Sequence, residues 1–154
     1  MKSLNILLVD DDDVDRMMIM RMLDSCNFES KVIETNDAQS ALDAFRNGKF
    51  DCVLLDYKLP GMNGSEVLEQ MTNGSEPGKA IIMLTGQGNE DMAAHVLKNG
   101  AKDYLPKGNM NVGALQRAII NAIEKTALEQ DLALQRSISS DNVANMATRY
   151  GPTS

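Results

Sequence analysis

An α/β fold built around a parallel sheet is predicted by three observations. Apolar runs alternate with helix-period segments five times along the 154 residues, the pattern of repeated strand–helix–strand units. The runs are short and continuous, as in "NILLV" and "CVLL", so the strands should be covered on both faces. Glycines Gly48, Gly74, Gly100 and Gly108 fall where a helix or strand should stop.

In chain order, strands are expected at residues 5–9, 31–35, 52–55, 80–84 and 103–105, and helices at 13–26, 38–47, 65–72, 90–98 and from 112 to at least 125. In the first helix Val14, Met18, Ile19, Met22, Leu23 and Cys26 share one broad face that should pack inward, with Met17 and Met20 opposite. In the fourth, Ala93, Val96 and Leu97 should face inward and His95, the only histidine, outward. In the last helix Leu115, Ile119, Ala122, Ile123 and Thr126 form a stripe fit to pack on the sheet. Leu128 and Leu132 project from nearly the opposite side, so this helix should outlast the domain it packs against. The closing "SSDNVANMATRYGPTS" is polar and rich in small residues and is expected to be loose.

Composition narrows the function. A 43% apolar content supports one packed domain. No apolar run suffices to span a membrane, and the amino-terminal stretch lacks a signal-peptide pattern, so a cytoplasmic protein is expected. A net charge of −7 leaves no basic stripe for phosphates, which argues against nucleic-acid binding. Cys26 and Cys52 show neither a C-x-x-C motif nor metal spacing. They read as small buried hydrophobes, one on a helix and one in a strand.

The chemistry gathers where strands end. "NILLVDDDDVDR" drives an apolar strand into four consecutive aspartates, whose mutual repulsion is roughly 1 to 4 kcal/mol per close pair. In open parallel sheets ligands bind beyond the carboxyl ends of the strands. That edge should collect Asp10 and Asp11 after the first strand, Asp56 after the third, Thr85 after the fourth and Lys107 after the fifth. Three carboxylates make a hard oxygen site suited to Mg²⁺, and one could act as a nucleophile. The threonine hydroxyl and the lysine amine would meet the oxygens of an arriving phosphoryl group, whose transfer needs positioning, a divalent ion and charge compensation. Each residue alone has a duller explanation: capping, a turn or a surface charge. Together, in this order, they point to a phosphoacceptor site.

The pieces "ILLVDDD", "VLLDYKLPGMNG", "MLTGQG" and "GAKDYLPKG" resemble the receiver domain of two-component response regulators, of the single-domain chemotaxis-regulator type, over about residues 3 to 125. The resemblance implies a three-layer flavodoxin-like (βα)₅ fold with strand order 2-1-3-4-5, here with an extended last helix. It implies a receiver over 1–125 and a helical extension with a loose tail over 126–154. It casts Asp56 as the acceptor of phosphate from a sensor histidine kinase or histidine phosphotransfer protein. Asp10, Asp11, Asp56 and the backbone carbonyl of Lys58 would hold Mg²⁺. Thr85 and Lys107 would contact the phosphoryl group, and Thr85 with Tyr104 would form the switch. Lys58 and Gln87 occupy the variable positions that tune phosphoryl lifetime. Such a protein is no conventional enzyme, although it catalyses its own aspartyl phosphorylation and dephosphorylation.

Output is expected through the face of the fourth helix, fifth strand and last helix onto a downstream effector protein, because no effector domain follows in this chain. A homodimer through the extended helix is a further expectation. The family commonly places proline after the lysine; here Gly108 follows Lys107 and the proline is Pro106, so the turn should differ while the amine is kept. Asp12 or Asp13 should cap the first helix. Two other functions compete: a constitutive adaptor that keeps its acids without being phosphorylated, and an aspartate-nucleophile phosphatase. The latter needs a DxDxT-like pattern that "DDDDVD" does not complete, and it would leave Asp56 unexplained.

Overall fold

The computed structural model describes residues 3–73, 78–86 and 88–150, with the side chains of the last helix described through residue 138. Its elements are β1 (Leu4–Val9), α1 (Asp13–Asp24), β2 (Ser30–Thr35), α2 (Ala38–Asn47), β3 (Cys52–Asp56), α3 (Gly64–Thr72), β4 (Ile81–Thr85), α4 (Glu90–Lys98), β5 (Asp103–Pro106) and α5 (Val112–Tyr150). All strand pairs are parallel, in the order β2-β1-β3-β4-β5. This is the expected flavodoxin-like sheet.

Strand alternation explains the three layers. Ile6 and Leu8 of β1, Cys52 and Leu54 of β3 and Ile82 and Leu84 of β4 face one way, where Ile19 and Leu23 of α1 and Leu115, Ala118, Ile119 and Ala122 of α5 cover them. Leu7, Val9, Val53, Leu55, Ile81 and Met83 face the other way, under Ala41 and Leu42 of α2, Val67, Leu68 and Met71 of α3 and Val96 of α4. Each fully buried aliphatic side chain contributes roughly 1.5 to 3 kcal/mol. With both faces covered, central strands carry no polar alternation.

Helix starts are fixed at the carboxyl edge of the sheet. Asp12, Asp37, Asn63 and Asn89 each accept a hydrogen bond from the backbone N–H three residues on, at the heads of α1, α2, α3 and α4. Such a cap is worth about 1 kcal/mol. Of the two capping candidates at α1, Asp12 performs the task, accepting from the Asp15 N–H at 2.9 Å.

Several sequence expectations need correction. Val14 is 75% exposed, because the first turn of α1 overhangs the sheet edge and only Ile19 and Leu23 of that helix are fully covered. Met20 packs partly against the core, whereas Met17 is exposed as expected. Leu97 is exposed, and Val96 alone anchors α4. Cys26 is half-buried in the turn beyond α1. That helix stops once the Ser25 N–H and hydroxyl both bond the Arg21 carbonyl. Cys52 is buried in β3.

The segment expected to be loose from residue 139 is helical through Tyr150. No glycine or proline, the two residue types most unfavourable inside a helix, interrupts it before Gly151 and Pro152. Leu128 and Leu132 project to solvent as expected, joined by Leu134 and Ile138. Gly74 and the end of the tail, 151–154, lie outside the described residues. Among the described residues no helix is long and apolar enough to cross a membrane.

Candidate functional site

The five predicted site residues that end strands arrive at one edge because the strands are in register. Leu8 pairs with Leu54, Asp56 with Leu84 and Thr85 with Pro106. The tips of β1, β3, β4 and β5 therefore finish side by side. Asp56 and Thr85 still belong to their strands, one residue further than the apolar runs suggest. The ladder persists there because the Tyr57 N–H donates to the Leu84 carbonyl at 2.8 Å.

Asp10 is fully buried and held in place by backbone contacts. Its N–H donates to the Thr35 carbonyl, and its Oδ1 accepts from the Asp12 N–H at 2.9 Å. Arg16, on the next turn of α1, donates from Nη1 to the Asp10 carbonyl at 2.7 Å while pairing with Glu34 and Asp13. Asp56 is 3% exposed. Behind it Gly64 opens α3 by bonding the Tyr57 carbonyl at 2.6 Å, and a side chain there would lie 2.5 Å from the Asp56 carbonyl oxygen. Only glycine lets the loop fold back so tightly on the strand end.

Asp10, Asp11 and Asp56 each offer a carboxylate oxygen within 4.8 Å of the others; Asp11 is exposed and the other two are buried. Lys107, 10% exposed, reaches across from the end of β5, with Nζ 2.8 Å from Asp10 Oδ2 and 3.3 Å from Asp56 Oδ2. The turn it sits on is a 3₁₀ turn, Lys107–Asn109, closed by the Met110 N–H on the Lys107 carbonyl. The glycine at 108 thus changes the turn and leaves the amine in place.

Burial, and next the charge of Asp10, push the Asp56 carboxyl up to about 7, against the partial compensation of Lys107. Lys107 is pushed above its ordinary value by its acidic neighbours, against the opposing effect of burial. Ionised, three acids face one ammonium, and the site carries surplus negative charge. Asp10 Oδ2 is buried and, apart from the Lys107 ion pair, receives no hydrogen bond. An unfilled carboxylate oxygen beside two others is the donor set a small hard divalent cation takes, so the residues present fit Mg²⁺.

Thr85 is buried at the tip of β4. Tyr104 is half-buried on β5, and its hydroxyl is buried without a hydrogen-bond partner among the described residues. The ring lies over Gly88, where an added Cβ would fall 1.1 Å from the hydroxyl and 2.9 Å from the Thr85 methyl. Lys58 is exposed on the loop after β3. Gln87 lies outside the described residues. His95 is exposed and bonds Ser65 of α3, and it is not one of the clustered acids.

Four contributors escaped the sequence reading. Arg16, Gly64 and Gly88 act through backbone contact or vacant space, which no motif spells out. Asp15 places its carboxylate 2.9 Å from Lys107 Nζ, 92 positions away in the chain. Its i+4 distance from Asp11 was the only available signal.

Known proteins agree with this architecture. Residues 6–120 match the family model described as the response regulator receiver domain. The transcriptional regulatory protein FixJ of Bradyrhizobium diazoefficiens is 37% identical over 103 residues, covering 67% of this chain and 49% of that protein. SrrA of Staphylococcus aureus is 31% identical over 130 residues, 83% of this chain and 52% of its own length. The chain thus spans about half the length of these curated relatives. Among solved structures, a CheY-like receiver domain protein from Methanospirillum hungatei superposes with a TM-score of 0.70 at 29% identity, over 83% of this chain and 99% of its own. The receiver domain of a Pseudomonas aeruginosa sensor histidine kinase, solved with a magnesium ion in its active-site cleft, gives 0.70 at 27% identity, over 80% and 99%. With a family model spanning most of the chain and the same fold in its solved neighbours, this protein belongs to the response regulator receiver domain family of two-component signal transduction.

Proposed function

We propose that this chain accepts a phosphoryl group on Asp56 and relays that event to a partner. The carrying observation is that Asp10, Asp11 and Asp56, from two strand tips, come within 4.8 Å while Lys107 reaches both Asp10 and Asp56. The donor is the phosphohistidine of a sensor histidine kinase or histidine phosphotransfer protein. An Asp56 carboxylate oxygen attacks phosphorus, the phosphorus–nitrogen bond breaks and the imidazole leaves with the bonding pair. Mg²⁺, held by Asp10, Asp11, Asp56 and the Lys58 carbonyl, would neutralise phosphoryl oxygens. Thr85 and Lys107 supply the remaining donors. Deprotonated Asp56 is the reactive form, and a divalent cation among the three carboxylates would favour it.

In this reading residues 1–125 are the receiver and 126–154 an extension. The charge on Asp56 favours one of two arrangements of Thr85 and Tyr104, and the face of α4, β5 and α5 carries that difference to a downstream effector. Exposed Leu128, Leu132, Leu134 and Ile138 on α5 support a homodimer through that helix. A cytoplasmic location follows from the class of donor. Lys58 and Gln87 tune phosphoryl lifetime; equal dephosphorylation rates for Lys58→Ala and parent would dismiss Lys58.

The decisive experiment is intact-mass measurement of parent and Asp56→Asn with acetyl phosphate, with and without Mg²⁺. A single phosphoryl adduct that requires Mg²⁺ and disappears in the variant is expected. An adduct that persists in Asp56→Asn sinks the proposal.

A further inference from the structure

Lys107 has three carboxylate neighbours: Asp10 Oδ2 at 2.8 Å, Asp15 Oδ2 at 2.9 Å and Asp56 Oδ2 at 3.3 Å. Asp10 and Asp56 belong to the acidic trio; Asp15 does not. The Asp15 contact has the geometry of a directed hydrogen bond. Its approach is fixed locally, since Asp15 sits in the first turn of α1 and its own N–H is held by the capping Asp12.

An ammonium has three N–H donors and no more. A phosphoryl oxygen on Asp56 brings a further anionic acceptor to that ammonium and competes with the carboxylates already around it. The three acceptors differ in what release costs. Asp10 and Asp56 have side chains 0% and 5% exposed, whereas Asp15 is 35% exposed. A buried carboxylate stripped of its cation is left without solvation; a partly exposed one recovers water. Asp15 is therefore the neighbour that yields, and until it yields it holds the amine.

A first-turn acid also favours the start of a helix, but that does not require a lysine partner. Asp13, in the same turn, serves the same end and is turned to Arg16 instead. We infer that Asp15 is a positioning residue that draws the Lys107 ammonium toward α1 in the resting protein, competes with the incoming phosphoryl oxygen, and so sets both the rate of phosphoryl capture and the lifetime of the product. This rests on the reading of Asp56 as the acceptor. The competition concerns one N–H, so its effect is moderate. Loss of a partly exposed charge pair corresponds to about a threefold to tenfold change in rate.

Eight chains separate the possibilities: parent, Asp15→Ala, Asp15→Glu and Asp13→Ala, each made once with Lys107 and once with Lys107→Ala. The first probe is acetyl phosphate with saturating Mg²⁺, following uptake and decay by intact mass. The second uses no phosphodonor: acetylation of the Lys107 amine by acetic anhydride, located by peptide mass. For Asp15→Ala, uptake faster and decay slower by about threefold to tenfold, with faster acetylation of Lys107, is expected. Asp15→Glu should stay near the parent, Asp13→Ala should shift rates less than about twofold, and the Asp15 effect should vanish when Lys107 is alanine. The inference is overturned if Asp15→Ala matches the parent by both probes, if Asp13→Ala produces an equal gain, or if the gain survives loss of Lys107. If no chain, parent included, takes up phosphoryl, the acceptor reading fails by itself, and Lys107 acetylation then decides Asp15: faster labelling upholds the contact and unchanged labelling removes it.

Discussion

Lys102 and Lys107 are equally sheltered, 9% and 10% exposed, at opposite ends of β5. Among the described residues Lys102 meets a single acid, Glu129 of α5, at 2.6 Å. Its charge is balanced, and the pair fastens the last helix to the sheet just where α5 begins to leave it. Lys107 meets three acids, with Asp11 close by. One buried cation closes a ledger of charge and makes a joint. The other leaves a surplus that only a further cation can settle. Burial alone does not distinguish the two lysines; the count of facing carboxylates does.

Four experiments probe that contrast. The largest effect is total: Asp56→Asn should take up no phosphoryl from acetyl phosphate by intact mass, while Glu129→Gln, at the balanced end, should take it up like the parent. Phosphoryl uptake lost in Glu129→Gln would erase the distinction between the two ends.

Next, Lys107→Ala should destabilise the Mg²⁺-free protein at pH 8 by roughly 3 to 5 kcal/mol, the consequence of leaving buried carboxylates unpaired. Lys102→Ala should cost only about 1 kcal/mol, because Glu129 is 34% exposed and remains hydrated. Urea titration of both variants checks this, and Mg²⁺ should restore part of the first loss and none of the second.

The third concerns pH. Asp56 is pushed up to about 7 from 3.8, so between those values the folded protein holds a proton that the unfolded chain has released. Stability of the metal-free protein should therefore fall as pH rises from about 4 to about 7, by a few kcal/mol at most. Asp56→Asn should flatten that slope, and Mg²⁺, which favours the ionised carboxylate, should reduce or reverse it. A slope identical in parent and Asp56→Asn would show that the surplus charge lies elsewhere.

The smallest effect belongs to Gly88→Ala. The Tyr104 hydroxyl must leave its place over residue 88, with stability changing by about 1 kcal/mol or less. A shift of the Tyr104 ring resonances toward those of an exposed tyrosine is the expected signal; unchanged resonances would mean that the loop gives way instead.

Much of this was readable beforehand, for an identifiable reason. Asp10, Asp56, Thr85 and Lys107 each follow an apolar strand, and parallel strands in register must deliver their ends to one edge. The same logic placed the sheet and its helices nearly residue by residue. It did not reach Asp15, whose lysine partner lies across the fold, nor Arg16, which bonds a backbone carbonyl, nor Gly88, whose role is the absence of atoms. It misjudged Val14 and Met20 because periodicity describes a helix face without saying how far along the helix the sheet extends. The tail was read from polarity, yet α5 runs on through Tyr150 with no glycine or proline to stop it.

The linear chain therefore settled the class of fold and which side chains stand at the strand ends, since burial pattern and strand-end chemistry are local properties written at fixed spacing. Folding in three dimensions settled the electrostatics: which acids share Lys107, which carboxyl is pushed toward neutrality, and which lysine is merely a joint. Those outcomes depend on distances of a few ångströms between residues as far apart in the chain as Asp10 and Lys107, and at that range burial and neighbouring charge, rather than residue type, decide what a carboxylate can do.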